Sequence, residues 1–286
     1  MRVEFENNNA ILYDLPDFDL EQTFMCGQCF RWNKTSDGGY AGVAFGKILK
    51  LSSSENRIVL HGTSEEDYYG IWEKYFDFQR NYTKIKENLA ADPVMKLATQ
   101  KGGGIRILRQ DVWETIVSFI ISASNNIPRI KKIITGLCEN FGEPLGEGLF
   151  SFPSPERLKG VTAEDLAPIR AGFRAKYIVD AVNKVTNGEI DLSLLETLST
   201  DSARKELIKI NGVGNKVADC ILLFALGRTE VFPVDVWIKN TMLKLYPDRC
   251  VSIQSVRDAG PEIFGIHCGI AQQYLFYYAR ENGGNI

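Results

Sequence analysis

Histidine is almost missing from this chain: His61 and His267 are the only two in 286 residues. The six cysteines, at 26, 29, 138, 220, 250 and 268, contain a single C-x-x-C, Cys26 and Cys29. Zinc held by such a pair needs a second pair of ligands nearby, and neither the histidines nor the other cysteines supply one. The expectation is no metal, no disulfide, and free thiols in a reducing compartment. Membrane-length apolar runs are lacking too, and the first residues, MRVEFENNN, hold no signal-peptide core. That points to a cytoplasmic chain with no membrane partner.

An excess of positive charge is also absent. Lys and Arg number 33 against 36 Asp and Glu, a net charge of −3, which does not advertise a nucleic-acid binder. The local field matters more than the sum. Arg129-Ile130-Lys131-Lys132 and the run RAGFRAK over 170–176 are basic clusters. They read either as solvated helix faces or as a basic groove on an acidic body with modest non-specific DNA affinity. No repeat or low-complexity tract stands out. The length suits two domains or three small ones.

What is present divides the chain near Gly102-Gly103-Gly104, into 1–104 and 105–286. In the first part, Gln28–Asn33, Tyr40–Phe45, Lys47–Ser52 and Arg57–Gly62 read as strands of an antiparallel meander. Turn signals at 36–39, Gly46 and 53–56 separate them. Helices are predicted over Glu65–Phe76 and Tyr82–Thr99. The second part reads as all-helical: Val112–Ser122, Pro128–Phe141, Ala163–Ile169, Lys176–Asn187, Ser202–Ile210, Asn215–Leu226, Val236–Leu245 and His267–Asn282. The fold class is α+β, an N-terminal antiparallel sheet domain followed by a helical one.

The stretch 203–227 carries the chemistry. A helical run reaches Ile210, Asn211-Gly212-Val213-Gly214 breaks it, and a second helix opens at Asn215 with Val217, Cys220, Ile221 and Phe224 at helical spacing. Paired glycines permit unusual backbone angles and let a phosphate come close, while the amides opening the second helix form an anion site. Lys216 lies in that helix's first turn, where the positive end of the dipole disfavours the ammonium form, so it is a candidate amine nucleophile. Cys220 is one turn on, on the same face. Asp235, after Phe232-Pro233-Val234, opens the next helix and is placed to lie beside Lys216. Plainer explanations stand next to these. Lys216 could form a surface bridge to Asp219, Cys220 could be a small buried apolar group, and Asp235 could be only an N-cap.

GVGNKVADC followed by PVDV resembles the signature of the helix-hairpin-helix DNA glycosylase superfamily, and most closely its 8-oxoguanine DNA glycosylase family. Gly27-Gln28-Cys29-Phe30-Arg31-Trp32 is similar to that family's G-Q-x-F-R-W, in a domain that endonuclease III relatives lack. The iron–sulfur cysteine cluster of those relatives is absent here. Asn211 stands where a proline commonly precedes GVG, which loosens the way into the hairpin.

The resemblance implies a bifunctional repair enzyme without metal or organic cofactor. It would excise 8-oxoguanine from duplex DNA, preferably opposite cytosine, and cut the abasic strand, acting as a monomer and associated with the nucleoid in a prokaryote. By the same resemblance Lys216 attacks C1′ and Asp235 stabilises the cationic sugar. Gly27 offers its carbonyl to the N7 hydrogen that only the oxidised base carries, Phe276 stacks on the flipped base and Gln272 reads its Watson–Crick edge, in GIAQQYLF, which matches the family's G-W-A-Q apart from Ile270.

Cys220 adjoins this pocket, and Gly212 and Gly214 hold phosphate. Ser124-Asn125-Asn126-Ile127-Pro128-Arg129 resembles the family's N-N-N-I-A-R, and Gly172-Phe173-Arg174-Ala175-Lys176 its G-Y-R-A-R. Asn125 thereby sits in the loop entering the vacated stack, Phe173 wedges beside the orphaned base, and Arg129 and Arg174 donate to cytosine or, alternatively, to phosphate. Ser124 replaces an asparagine used as plug and cytosine contact, a change that bears on opposite-base stringency. Trp237 stands where the family often has a histidine touching the lesion's phosphate.

On the helix alone, Phe276 could be core and Gln272 solvated, and Gly27 could be an ordinary turn glycine. Two other functions remain open on residues alone: a glycosylase for another damaged base, and a non-catalytic helix-hairpin-helix DNA-binding protein.

Overall fold

The computed structural model describes residues 1–54 and 56–283; Glu55, part of the turn expected over 53–56, lies outside them. One six-stranded antiparallel sheet is built from β1 (Arg2–Glu6), β2 (Asn9–Tyr13), β3 (Trp32–Lys34), β4 (Tyr40–Ala44), β5 (Lys47–Ser54) and β6 (Arg57–His61), in the spatial order β1-β2-β6-β5-β4-β3. The meander β3 to β6 is the predicted one. The hairpin β1–β2 was not predicted. Its two-residue turn, Asn7-Asn8, has φ of +50° and +60°, the type I′ geometry that asparagine tolerates and that suits the twist of paired strands.

The strand expected at Gln28–Asn33 is confined to Trp32–Lys34. Upstream of it the chain is an irregular loop, because the Gln28 side chain ties that loop to the segment after Gly104. Its carboxamide is fully buried, donates to the carbonyls of Thr23 (2.9 Å) and Arg106 (2.8 Å), and accepts from Leu108 N (2.9 Å). Gln110 returns a bond to the Gln28 carbonyl at 2.8 Å. Each such bond contributes about 1 kcal/mol, and leaving any partner unpaired here would cost more.

The expected helix Glu65–Phe76 is three short pieces with a π-turn at Tyr68–Trp72 in the middle. Tyr82–Thr99 is two helices, Tyr82–Leu89 and Pro93–Lys101, because Pro93 starts a new helix capped by Asp92. Beyond Gly104, Val112–Ser122, Ile127–Phe141, Ala175–Thr186, Thr200–Ile208, Asn215–Phe224, Val236–Leu245 and Cys268–Glu281 follow the predicted series closely. Ala163–Ile169 narrows to a 3-10 turn at Ala167–Ile169. A helix at Ile253–Phe264 was hidden by Gly260-Pro261; Gly260 is needed because a Cβ there would lie 2.4 Å from the Phe232 ring. The helical part also holds a two-stranded ribbon, Pro144–Gly146 with Leu149–Phe150.

Two apolar cores result. One lies under the sheet around Trp32, Trp72, Phe24 and Phe76, with Trp32 stacked on Phe24 at 4.3 Å and donating to the Tyr75 hydroxyl at 2.7 Å. The larger one fills the helical body, and it includes Tyr82, Ile85, Leu89, Met95 and Ala98. The two helices before Gly102-Gly103-Gly104 therefore pack with the helical body and not with the sheet. Arg106, 2% exposed, links the two by donating to the carbonyls of Phe76, Asp77 and Arg80. No described helix is long and apolar enough to cross a membrane.

Candidate active site

The glycine hairpin is built from two glycines with different reasons. Ile210 accepts from Val213 N at 3.0 Å to close the turn, and Gly212 has φ of +85°. A Cβ on Gly212 would also lie 2.6 Å from the Tyr177 ring. Gly214 has ordinary extended angles, φ −92° and ψ −176°, and a Cβ there would meet nothing within 4 Å. Backbone freedom explains Gly212 alone; at Gly214 the missing side chain keeps the outer surface bare. Helix Asn215–Phe224 starts at Gly214 with no side-chain cap, so its opening amides face outward unpaired by the protein. Asn211 does not loosen the turn as expected. Its N and Nδ2 donate to the two carboxylate oxygens of Asp180 at 2.7 and 2.8 Å, and a proline could not make the first of these bonds.

Lys216 is half-buried with Nζ 5.3 Å from the centre of the Phe119 ring. Asp219 is not its surface partner. That carboxylate is 2% exposed and faces Arg204 at 2.7 Å and Arg257 at 3.4 Å. Burial pushes the Asp219 pKa up while the two arginines pull it back. Asp235 caps helix Val236–Leu245 by accepting from Ile238 N at 2.8 Å. No ion pair joins Lys216 to Asp235 among the described residues, yet both charges bear on Cys220. Its thiol is buried and pushed up to about 11 by desolvation, with Lys216 lowering it and Asp219 and Asp235 raising it, so at neutral pH it is uncharged. Val236 and Trp237, the next two residues, stand exposed at that helix's start.

The second cluster is Gly27, Ile127 and Phe276. Gly27 has φ of +89°, and a Cβ on it would lie 3.5 Å from Ile127 Cδ1 and 3.7 Å from Phe276 Cε1. Phe276 is half-buried, and Arg280 sits 6.0 Å from its ring while donating to the Met25 carbonyl at 2.7 Å. Gln272 is not solvated: it is 4% exposed and its Oε1 accepts from Gln273 Nε2 at 2.9 Å. Ile127, Arg280 and Phe119 were not singled out from sequence. Nothing in an apolar run such as Val112–Ser122 marks Phe119 as the residue under the lysine.

The third cluster is the loop after helix Val112–Ser122. Ser124 is exposed at φ +50°. Asn125 is tied back into the loop, donating to the Ile121 carbonyl at 3.0 Å and accepting from Asn126 N at 3.0 Å. Asn126 caps the next helix. Arg174 is 2% exposed and donates to the carbonyls of Ala123 (2.9 Å) and Ser124 (2.9 Å), with its pKa lowered by burial and by the Arg129 charge. Its guanidinium holds the loop and does not stand free. Phe173, 53% exposed, and Arg129 are the side chains that project.

The family description "8-oxoguanine DNA glycosylase, N-terminal domain" matches residues 10–116, and "HhH-GPD superfamily base excision DNA repair protein" matches 117–250. A probable N-glycosylase/DNA lyase of Methanothermobacter thermautotrophicus is 30% identical over 93% of this chain and 95% of its own length. The 8-oxoguanine glycosylase/lyase of Clostridium acetobutylicum, solved with double-stranded DNA containing cytosine opposite 8-oxoG, superposes with TM-score 0.95 at 43% identity over 99% of both chains. MBOgg1, solved with a low-affinity DNA ligand, superposes with TM-score 0.96 at 47% identity, again over 99% of both.

Proposed function

The chain belongs to the 8-oxoguanine DNA glycosylase family, and from that premise we propose that Lys216 and Asp235 carry out its chemistry. It is an N-glycosylase/DNA lyase that removes 8-oxoguanine from duplex DNA and cuts the abasic strand. Its proposed place is the cytoplasm, with the nucleoid if the cell is prokaryotic. As the glycosidic bond lengthens, the sugar becomes oxocarbenium-like and the Asp235 carboxylate stabilises it. The Lys216 amine bonds to C1′ while the base leaves with the bonding pair and takes up a proton. Ring opening gives a Schiff base, and loss of a C2′ proton expels the 3′-phosphate. The observation that carries this reading is the placement of Lys216 in the first turn of the helix that the glycine hairpin opens, with Asp235 at the N-cap of the next helix.

The flipped base stacks on the Phe276 ring, with the Gly27 carbonyl at N7–H, Gln272 at its Watson–Crick edge and Cys220 adjoining the pocket. Phe173 enters the helix beside the orphaned base, and Arg129 donates to the cytosine edge. Ser124 and Asn125 line the loop that fills the gap, with Arg174 setting its height. The amides after Gly214 bind the lesion strand's phosphate. Gly212→Ala is expected to cost about 2–4 kcal/mol of stability, because it forces a positive φ and a clash with Tyr177. Gly214→Ala should keep the melting temperature but weaken binding to an abasic-site duplex about tenfold. Thermal melts and fluorescence anisotropy separate the two. Equal loss of stability in both would remove the phosphate argument.

The function is tested by cleavage of 8-oxoguanine opposite each of the four bases, with and without borohydride. Release opposite cytosine should be fastest and should trap covalently; preferential release of thymine glycol or 3-methyladenine would reject the assignment. Ser124→Asn belongs in the same assay. Asparagine tolerates the left-handed φ at 124 better than serine, so stability should hold or rise by about 0.5 kcal/mol. Its carboxamide also adds a cytosine contact, so the preference for cytosine should sharpen about threefold or more.

A further inference from the structure

Gln273 is buried on the C-terminal helix beside Gln272, each 4% exposed. Its Nε2 donates to Gln272 Oε1 at 2.9 Å, while its own Oε1 is buried with no hydrogen-bond partner. Such an orphan carries a cost, so the arrangement calls for a reason. Turning Gln273 alone would set oxygen against oxygen. Turning both carboxamides would restore one bond but leave both hydrogens of Gln273 Nε2 unpaired, where the arrangement seen leaves one hydrogen and one acceptor. Buried donors are left unpaired less readily than carbonyl oxygens, so the arrangement seen is the favoured one, and it fixes Gln272 with its oxygen toward Gln273 and its NH2 group as the remaining donor.

We propose that Gln273 is a positioning residue that fixes the handedness of the Gln272 carboxamide and so makes the base pocket select 6-oxopurines over 6-aminopurines. This rests on the reading that Gln272 faces the flipped base. A free glutamine amide turns over readily and can pair with either class of purine edge. Held by Gln273, Gln272 offers its NH2 group where a 6-oxopurine presents the O6 acceptor, and one oxygen lone pair remains for N1–H. A 6-aminopurine presents hydrogens at that position, donor against donor, in a site with little water to relieve the mismatch. The N7 hydrogen that oxidation adds is read elsewhere, at Gly27, so the two selections are independent.

Single-turnover excision of 8-oxoguanine and 8-oxoadenine, each opposite cytosine, tests this with the full chain. Gln273→Met keeps length and burial but removes the bond to Gln272; Gln273→Ala serves as a second variant, and thermal melts establish that each is folded. The ratio of 8-oxoguanine to 8-oxoadenine excision should fall about tenfold or more in both. A merely structural role would lower both rates together and leave the ratio unchanged, and that result in either folded variant would overturn the proposal. Gln272→Ala is the control for the premise. If it leaves 8-oxoguanine excision as in the unaltered enzyme, Gln272 does not face the base; if it lowers excision while the Gln273 variants keep the ratio, only the positioning role fails.

Discussion

Lys216→Gln should abolish the borohydride-trapped adduct with lesion DNA and slow base release by at least about a thousandfold. Glutamine keeps the length and hydrogen-bonding reach of the side chain but has no amine to form the bond at C1′. The protein should lose little stability, because the side chain is half-buried and its ring contact with Phe119 is replaceable by an amide. Binding to an 8-oxoguanine duplex should persist, since the hairpin amides, the Gly27 loop and the Phe173 wedge are untouched. Trapping at the level of the unaltered enzyme would mean that another amine is the nucleophile. Loss of binding together with trapping would mean that Lys216 holds DNA and does not react.

Asp235 allows its two roles to be separated. Asn is as good an N-cap as Asp, so Asp235→Asn should keep the bond to Ile238 N and change stability by less than about 0.5 kcal/mol. It removes the negative charge, however, and excision should fall about 10²–10³-fold. Asp235→Ala removes charge and cap together, adding about 1 kcal/mol of destabilisation to the same loss of rate. Denaturant melts and single-turnover kinetics on the three proteins form the comparison. An asparagine variant as fast as the unaltered enzyme would reduce Asp235 to a cap.

The sheet and helices were legible where one periodicity governed a whole segment. Val236–Leu245 was predicted to the residue because an N-cap aspartate starts it and apolar spacing runs through it. Ile253–Phe264 was missed because Gly260-Pro261 looks like a break, and only the packing of Phe232 on Gly260 explains the glycine. The β1–β2 hairpin did carry a signal, Val3 and Phe5 alternating with Arg2, Glu4 and Glu6 around two asparagines, but short charged strands are easily passed over. In the candidate site the motif residues came from local spacing and resemblance. Their partners did not, because Asp180 on Asn211, Arg204 and Arg257 on Asp219, and Gln273 against Gln272 depend on which donors tertiary folding brings together. Arg174 shows the limit most clearly. Resemblance assigned it a donor role toward cytosine or phosphate, and only folding shows it bonded to the loop's own carbonyls.

The clamp between Asp180 and Asn211 has a mechanical consequence. Helix Ala175–Thr186 begins beside Phe173, whose ring meets Tyr177 edge-on at 6.1 Å; Tyr177 fills the space against Gly212, and one turn later Asp180 grips Asn211. Phe173 and the hairpin that carries Lys216 are thus joined through one stiff helix, and their spacing does not depend on the 42 residues of chain between them. With the roles proposed for them, this makes a built-in caliper: wherever the Phe173 ring seats in a duplex, the Lys216 amine arrives at a set offset from it.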